Sequence, residues 1–186
     1  MTRRISLKEV LIAITLFLIS AFTLMDKAEN QSLSREEVKL YHEIMKYRGN
    51  KGLDSIPLSP SLNLVAKIHL QDLLEHSPKS RCNLHSWSKD GEWSSCCYDG
   101  SKKSFPCMWN KPRELTSYIG DGYEIAYWSS EGATAAADAL NGWKKSRGHN
   151  AVIINREIWK NVQWKAIGIA MRGEYAVVWF GKELDH

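Results

Sequence analysis

Gly122-Tyr123-Glu124-Ile125-Ala126 sets a single carboxylate inside a run of otherwise apolar residues. An isolated charge is costly to bury, so Glu124 needs either a partner or a solvated cleft. Residue type places a strand within Tyr118 to Trp128 around it. Working outward, Glu131 to Ser146 is Ala-rich and free of proline and predicts a helix, weakened near its end by Gly142. Trp164 to Met171 and Tyr175 to Phe180 are β-prone and separated by Arg172-Gly173-Glu174, which predicts a hairpin. On the other side, Ser34-Arg35-Glu36-Glu37 has the Ser-x-x-Glu pattern of a capping box. A first helix therefore starts at Ser34 and runs to about Arg48, where Gly49 and Gly52 stop it. Pro60 after Ser59 opens a second helix through about His76, with Leu62, Val65, Ala66, His69 and Leu73 on one face. Helices that come mainly first and a hairpin that comes last predict a single domain that is α+β or α/β/α layered.

The chain has 186 residues, 44% hydrophobic and 25% charged, which excludes wholesale disorder. Its formal charge is +4, and four of the basic groups (Arg3, Arg4, Lys8, Lys27) precede residue 28 against Glu9 and Asp26. The remainder carries a net +2, too little for a nucleic-acid surface. Arg3 and Arg4 precede an uncharged run from Val10 to Met25, the order of an export signal. Residues 1–27 are thus expected to be a signal peptide, with an uncleaved N-terminal anchor through residues 10–25 as the alternative. Either one places the domain outside the cytoplasm, secreted or membrane-anchored. Residues 28–33 read as a linker and residues 34–186 as the domain.

The four cysteines, Cys82, Cys96, Cys97 and Cys107, fall in one window and agree with export. Two disulfides are expected, and of the three connectivities the direct Cys96–Cys97 bridge is the strained one. The spacing lacks the paired CxxC of a zinc knot. The same segment, Arg81 to Pro112, has no helical or strand period and is expected to be a long loop held by the staples.

Three of the six histidines have plain readings: His42 and His76 lack distinctive neighbours, and His186 ends the chain. His69 and Asp72 lie three apart on the second helix, and the expectation is a partly buried imidazole oriented by that carboxylate. His85 lies in the stapled loop, and His149 follows the third predicted helix in Ser146-Arg147-Gly148-His149-Asn150. Together with Glu124, these two imidazoles suit zinc with an open fourth position. They equally suit a general acid/base pair or a buried hydrogen-bond network.

The stretch Leu62 to Phe180 resembles a CAP domain, also called an SCP domain, of the bacterial type. That superfamily comprises the cysteine-rich secretory, antigen-five and pathogenesis-related proteins. The resemblance rests on Leu62-x-x-Val65-Ala66-x-x-His69-x-x-Asp72, on Leu84-His85-Ser86 and on Gly122-Tyr123-Glu124-Ile125-Ala126. Trp143-x-x-Ser146-x-Gly148-His149-Asn150 and the closing hairpin complete it. It implies an α-β-α sandwich whose cleft brings His85, Glu124 and His149 together with a second acidic residue. The place of that second acid is Ser146 here, and neither Glu114 nor Glu131 can be assigned to replace it. Some members of the family bind a divalent metal, others bind lipids or protein partners, and most have no established enzymatic activity.

The resulting expectation is an extracytoplasmic binding module for a lipid, peptide or protein ligand. Its site is His85, Glu124 and His149, with zinc as the candidate cofactor, no nucleic acid, and membrane contact only through an uncleaved N-terminus. The alternative is a metal-assisted, peptidase-like hydrolase using the same three residues. Neither an HExxH helix nor a Gly-x-Ser-x-Gly elbow supports it.

Overall fold

The computed structural model describes residues 32–78 and 81–186. The predicted leader and most of the linker lie outside the described residues. Residues Leu33–His186 form one compact unit. Its elements are α1 (Arg35–Gly49), α2 (Pro60–His76), the short α3 (Phe105–Trp109) and α4 (Lys111–Leu115), and β1 (Gly122–Trp128). These are followed by α5 (Ala136–Lys145), α6 (Arg147–Ile153), a 3-10 turn (Glu157–Trp159), β2 (Ala166–Arg172) and β3 (Tyr175–Gly181). The strands form an antiparallel sheet in the order β1-β3-β2.

Strand alternation sorts the sheet into two faces. Tyr123, Ile125, Ile167, Ile169, Val178 and Phe180 join Leu40 and Ile44 of α1 and Leu140 and Trp143 of α5 in one core. Ala166, Ala170, Tyr175, Val177 and Trp179 face the other way, onto Leu62, Val65, Ala66 and Leu73 of α2. Helices thus cover both faces, giving the α-β-α sandwich and one α+β domain. No helix among the described residues is long and apolar enough to cross a membrane.

Local signals explain the element ends. The capping box forms as expected: Glu37 N–H donates to Ser34 Oγ at 3.2 Å and Ser34 N–H donates to Glu37 Oε2 at 2.6 Å. The other oxygen of buried Glu37 accepts from Met171 N–H at 2.9 Å, so one side chain caps α1 and ties it to β2. Gly173 takes φ 56° in the two-residue turn between β2 and β3, as a tight hairpin turn requires of its first residue. At Gly168 the reason is space, because a Cβ there would stand 2.1 Å from the backbone carbon of Leu62. Only glycine lets the first turn of α2 lie this close to the sheet.

Three expectations need correction. The third helix starts at Ala136, five residues later than Glu131, because Thr134 is hydrogen-bonded to the hairpin turn through Gly173 O and Glu174 O. Its first N–H is then capped from outside, with Ala136 N–H donating to Glu36 Oε2 of α1 at 3.1 Å. His149 follows the third helix as expected, but it sits on a further short helix, α6, that was not expected. The Arg81–Pro112 segment, expected as a pure loop, contains α3 and the start of α4, packed by Met108 against β1.

Candidate functional site: a buried His-Glu-His chain

Period-two alternation turns Glu124 away from Tyr123 and Ile125 and onto the α2 face, in register with Trp179. Its carboxylate is fully buried and takes an imidazole on each oxygen. His69 Nδ1 lies 2.5 Å from Oε1 and His85 Nδ1 lies 2.7 Å from Oε2. His69 is itself 0% exposed, and its Nε2 donates to Ser86 O at 3.0 Å, since a carbonyl can only accept.

The protonation state follows. Burial alone would push the His69 pKa down, but the Glu124 charge, the hydrogen bonds to Glu124 and Ser86 O, and the Asp72 charge outweigh it and raise it. Burial likewise pushes Glu124 up, and the charges and hydrogen bonds of His69 and His85 outweigh it and hold Glu124 low. Both His69 nitrogens thus face acceptors, and the pair favours the charged imidazole opposite an ionised Glu124. The Trp87 indole stacks on the His69 ring at 4.3 Å with planes 11° apart, a π-face laid against a cation.

His85 is placed by the stapled loop. Cys82 pairs with Cys97 and Cys96 with Cys107, with Cα separations of 5.0 and 5.7 Å, so the adjacent cysteines bridge outward as expected. Between the staples, Trp87 and Cys96 exchange backbone hydrogen bonds and Asn83 N–H donates to Tyr98 O. The Ser86 hydroxyl accepts from Tyr98 N–H, and Asp72 of α2 accepts from Ser88 N–H at 2.8 Å. The loop can hardly shift without moving His85. Because its Nδ1 is spent on Glu124, its Nε2 remains for a ligand.

His149, on α6, faces His85 edge-to-face with ring centroids 6.1 Å apart. Burial first, and then the charge of His85, push its pKa down to about 4, so it is a neutral imidazole at neutral pH. It makes no hydrogen bond to Glu124.

The structure thus joins His85 and Glu124 directly and sets His149 across from His85. The missed residue is His69. It was expected to be partly buried and oriented by Asp72, whereas it is wholly buried and held by Glu124, while Asp72 anchors the stapled loop. The signal was present, because His69 shares the core-facing stripe of α2 and a polar ring there requires a buried partner. Neither candidate substitute for the second acid joins the group. Glu114 pairs with Lys111 and Ser94, and Glu131 is exposed.

Each oxygen of Glu124 already accepts from an imidazole, so a metal ion there would compete with His69 and His85. No cluster of three His, Cys, Asp or Glu among the described residues is arranged to hold a metal ion. A zinc set of His85, His149 and Glu124 does not fit this arrangement. The donor chemistry that remains is two imidazoles, with Glu124 orienting one of them.

The model of the CAP family, the cysteine-rich secretory protein family, matches residues 41–171, and the chain belongs to that family. Its fold is shared by an outer surface protein of Borrelia burgdorferi (TM-score 0.55, 19% identity), the match covering 82% of this chain and 96% of that one. A cysteine-rich secretory protein of Staphylococcus aureus (TM-score 0.51, 13% identity) matches over 80% of this chain and 39% of its own. An extracellular SCP-domain protein of Bacillus anthracis (TM-score 0.53, 14% identity) matches over 80% and 40%. The chain therefore spans about two-fifths of the length of those last two. No curated protein matches.

Proposed function

We propose that this chain is an extracytoplasmic binding module whose capture point is the His85–His149 pair. The observation that carries the reading is the coupling of His85 through Glu124 to the wholly buried imidazole of His69. Such a chain fixes the orientation of one ring nitrogen, and that is what a ligand site requires. The two disulfides and the family support placement in an oxidising, extracellular compartment. A lipid, peptide or protein surface is the ligand class, and zinc is the candidate ion. A bound zinc ion would supply a Lewis acid with coordination positions open to water or ligand. His85 Nε2 and one nitrogen of His149 would hold it, and Glu124 would orient His85 without touching the ion. No observation favours hydrolysis.

The test is calorimetric zinc titration of the oxidised protein beside a His85→Ala/His149→Ala double variant. About one ion per chain, lost in the variant, supports the imidazole pair as the capture point. A folded protein that takes up no zinc near neutral pH sinks the metal part. If it also gives no lipid or peptide response at His85, the reading as a whole fails.

A further inference from the structure

A second cleft, of about 490 Å³, opens at the end of α1 and shares no lining residue with the His85–His149 pair. Among its lining residues is Arg48, which is only 4% exposed. The guanidinium is held by three neutral oxygens. Nε donates to Asp54 O at 3.1 Å, and Nη1 donates to Ile153 O at 2.6 Å and Asn155 Oδ1 at 2.7 Å. Nη2 has no partner among the described residues, and no carboxylate lies within ion-pair distance of Arg48. Burial lowers its pKa to about 10, with the nearby Asp54 charge acting against that, and at neutral pH it still carries a full charge.

The guanidinium is hydrogen-bonded only to neutral oxygens, so an anion entering the cleft would meet its charge at Nη2 with Asp54 as the nearby acid. Around it, Lys160 and Lys165 line the same cleft against the single acid Asp54, so the local charge is positive. Leu53, Val162, Trp164 and Leu184 supply the apolar part of the wall, beside the polar Ser55 and Gln163. Trp164 is only 4% exposed, its indole N–H spent on Val152 O and its ring packed on Tyr123, Trp159 and Phe180, so it forms the firm floor of the cleft. Leu184 is half exposed, an apolar side chain with little of its own to cover.

The Arg48 mount is rigid. Asn155 ends α6 in the left-handed conformation (φ 49°), with Arg156 N–H returning to Ala151 O. Its side-chain amide then ties Arg48 to Trp159 O and Val162 O. The guanidinium therefore joins the end of α6, the 155–162 turn and the 53–57 loop in a preformed wall.

We propose that this cleft binds the free carboxyl end of a peptide whose last residue is apolar. The carboxylate meets Arg48 and the two lysines, and the side chain rests on Leu53, Trp164 and Leu184. The exposed Ser55 and Gln163 lie where the preceding amide can be received. A long alkyl chain would instead have to cross these polar groups.

The test is NMR titration of the oxidised full-length chain with N-acetyl-leucine, N-acetyl-leucine amide and octanoate, reading the Trp164 indole and the Lys165 amide. N-acetyl-leucine is expected to give saturable shifts there and none at His85 or His149. Removing the carboxylate charge in the amide should weaken binding by about tenfold or more. The charge-reversed Lys160→Glu/Lys165→Glu variant, altered at exposed Lys160 and half-buried Lys165, should lose a similar factor and keep its fold by circular dichroism. No saturable shift, equal binding of the amide, or an unaffected double variant overturns the proposal. Octanoate binding as tightly as N-acetyl-leucine overturns the peptide assignment, because the amide-receiving edge would then contribute nothing. Since the reporters and variants lie outside the His85–His149 pair, failure here leaves that reading standing.

Discussion

Replacing Glu124 with Gln keeps the shape of the side chain and removes the charge between His69 and His85. In the native protein the carboxylate and His69 are both 0% exposed and 2.5 Å apart. Removing one partner of such a pair costs about 3–5 kcal/mol, because the other charge is left buried and alone. His69 can escape part of that cost by losing its proton, so the cost must depend on pH. The raised pKa of His69 gives stability that is complete below its ordinary value of 6.5 and is lost as pH climbs through the folded value. The lowered pKa of Glu124 gives stability that is present above its ordinary 4.5 and is lost as pH falls through the folded value. Both contributions are full only between these limits. At about pH 5.5, Glu124→Gln should therefore destabilise the oxidised protein by about 3 kcal/mol or more. Once His69 is neutral at higher pH, the loss should shrink towards one or two hydrogen bonds, about 1 kcal/mol each. Urea unfolding followed by tryptophan fluorescence at both pH values measures it. A cost under about 1 kcal/mol at the lower pH, or one that grows with pH, would refute the buried imidazolium.

Other outcomes follow from the same contacts. His149, neutral in the folded protein with a pKa of about 4 against an ordinary 6.5, favours folding less as acid charges it in the unfolded chain. Stability should fall between those pH values by at most about 3 kcal/mol, less its partial solvent screening. A His149→Asn variant should lack that slope in pH-dependent denaturation, and an unchanged slope counts against the assignment. Gly168→Ala should lower stability by about 3 kcal/mol in thermal unfolding, because its methyl would meet backbone rather than a movable side chain. Cys82→Ser/Cys97→Ser, which opens a loop of sequence separation 15, should cost about 3 kcal/mol. It should also weaken any zinc binding by freeing His85, and unaltered zinc affinity would show that the loop does not position that ring.

Much of the frame was legible before any tertiary information. Ser34 with Glu37, Pro60 after Ser59 and Gly173 between two β-prone runs mark ends that local hydrogen bonding and backbone sterics decide, and they fall where expected. The outward pairing of adjacent cysteines followed from bond geometry, although which outer cysteine each one takes did not. The third helix was misjudged at its start because Thr134 answers to the hairpin turn, a contact between residues some forty positions apart.

At the site, sequence alone determined that Glu124 needs a partner, that His85 sits in a stapled loop and that His149 lies near a helix end. It also placed His69 on the core-facing stripe of α2. Only the tertiary structure decided which imidazoles meet that carboxylate. The choice depends on which face of β1 packs against α2, and Gly168 sets how closely that helix can lie on the sheet. Local propensity carries no information on either point. Packing alone buried His69 against Glu124 and set Arg48 among neutral oxygens.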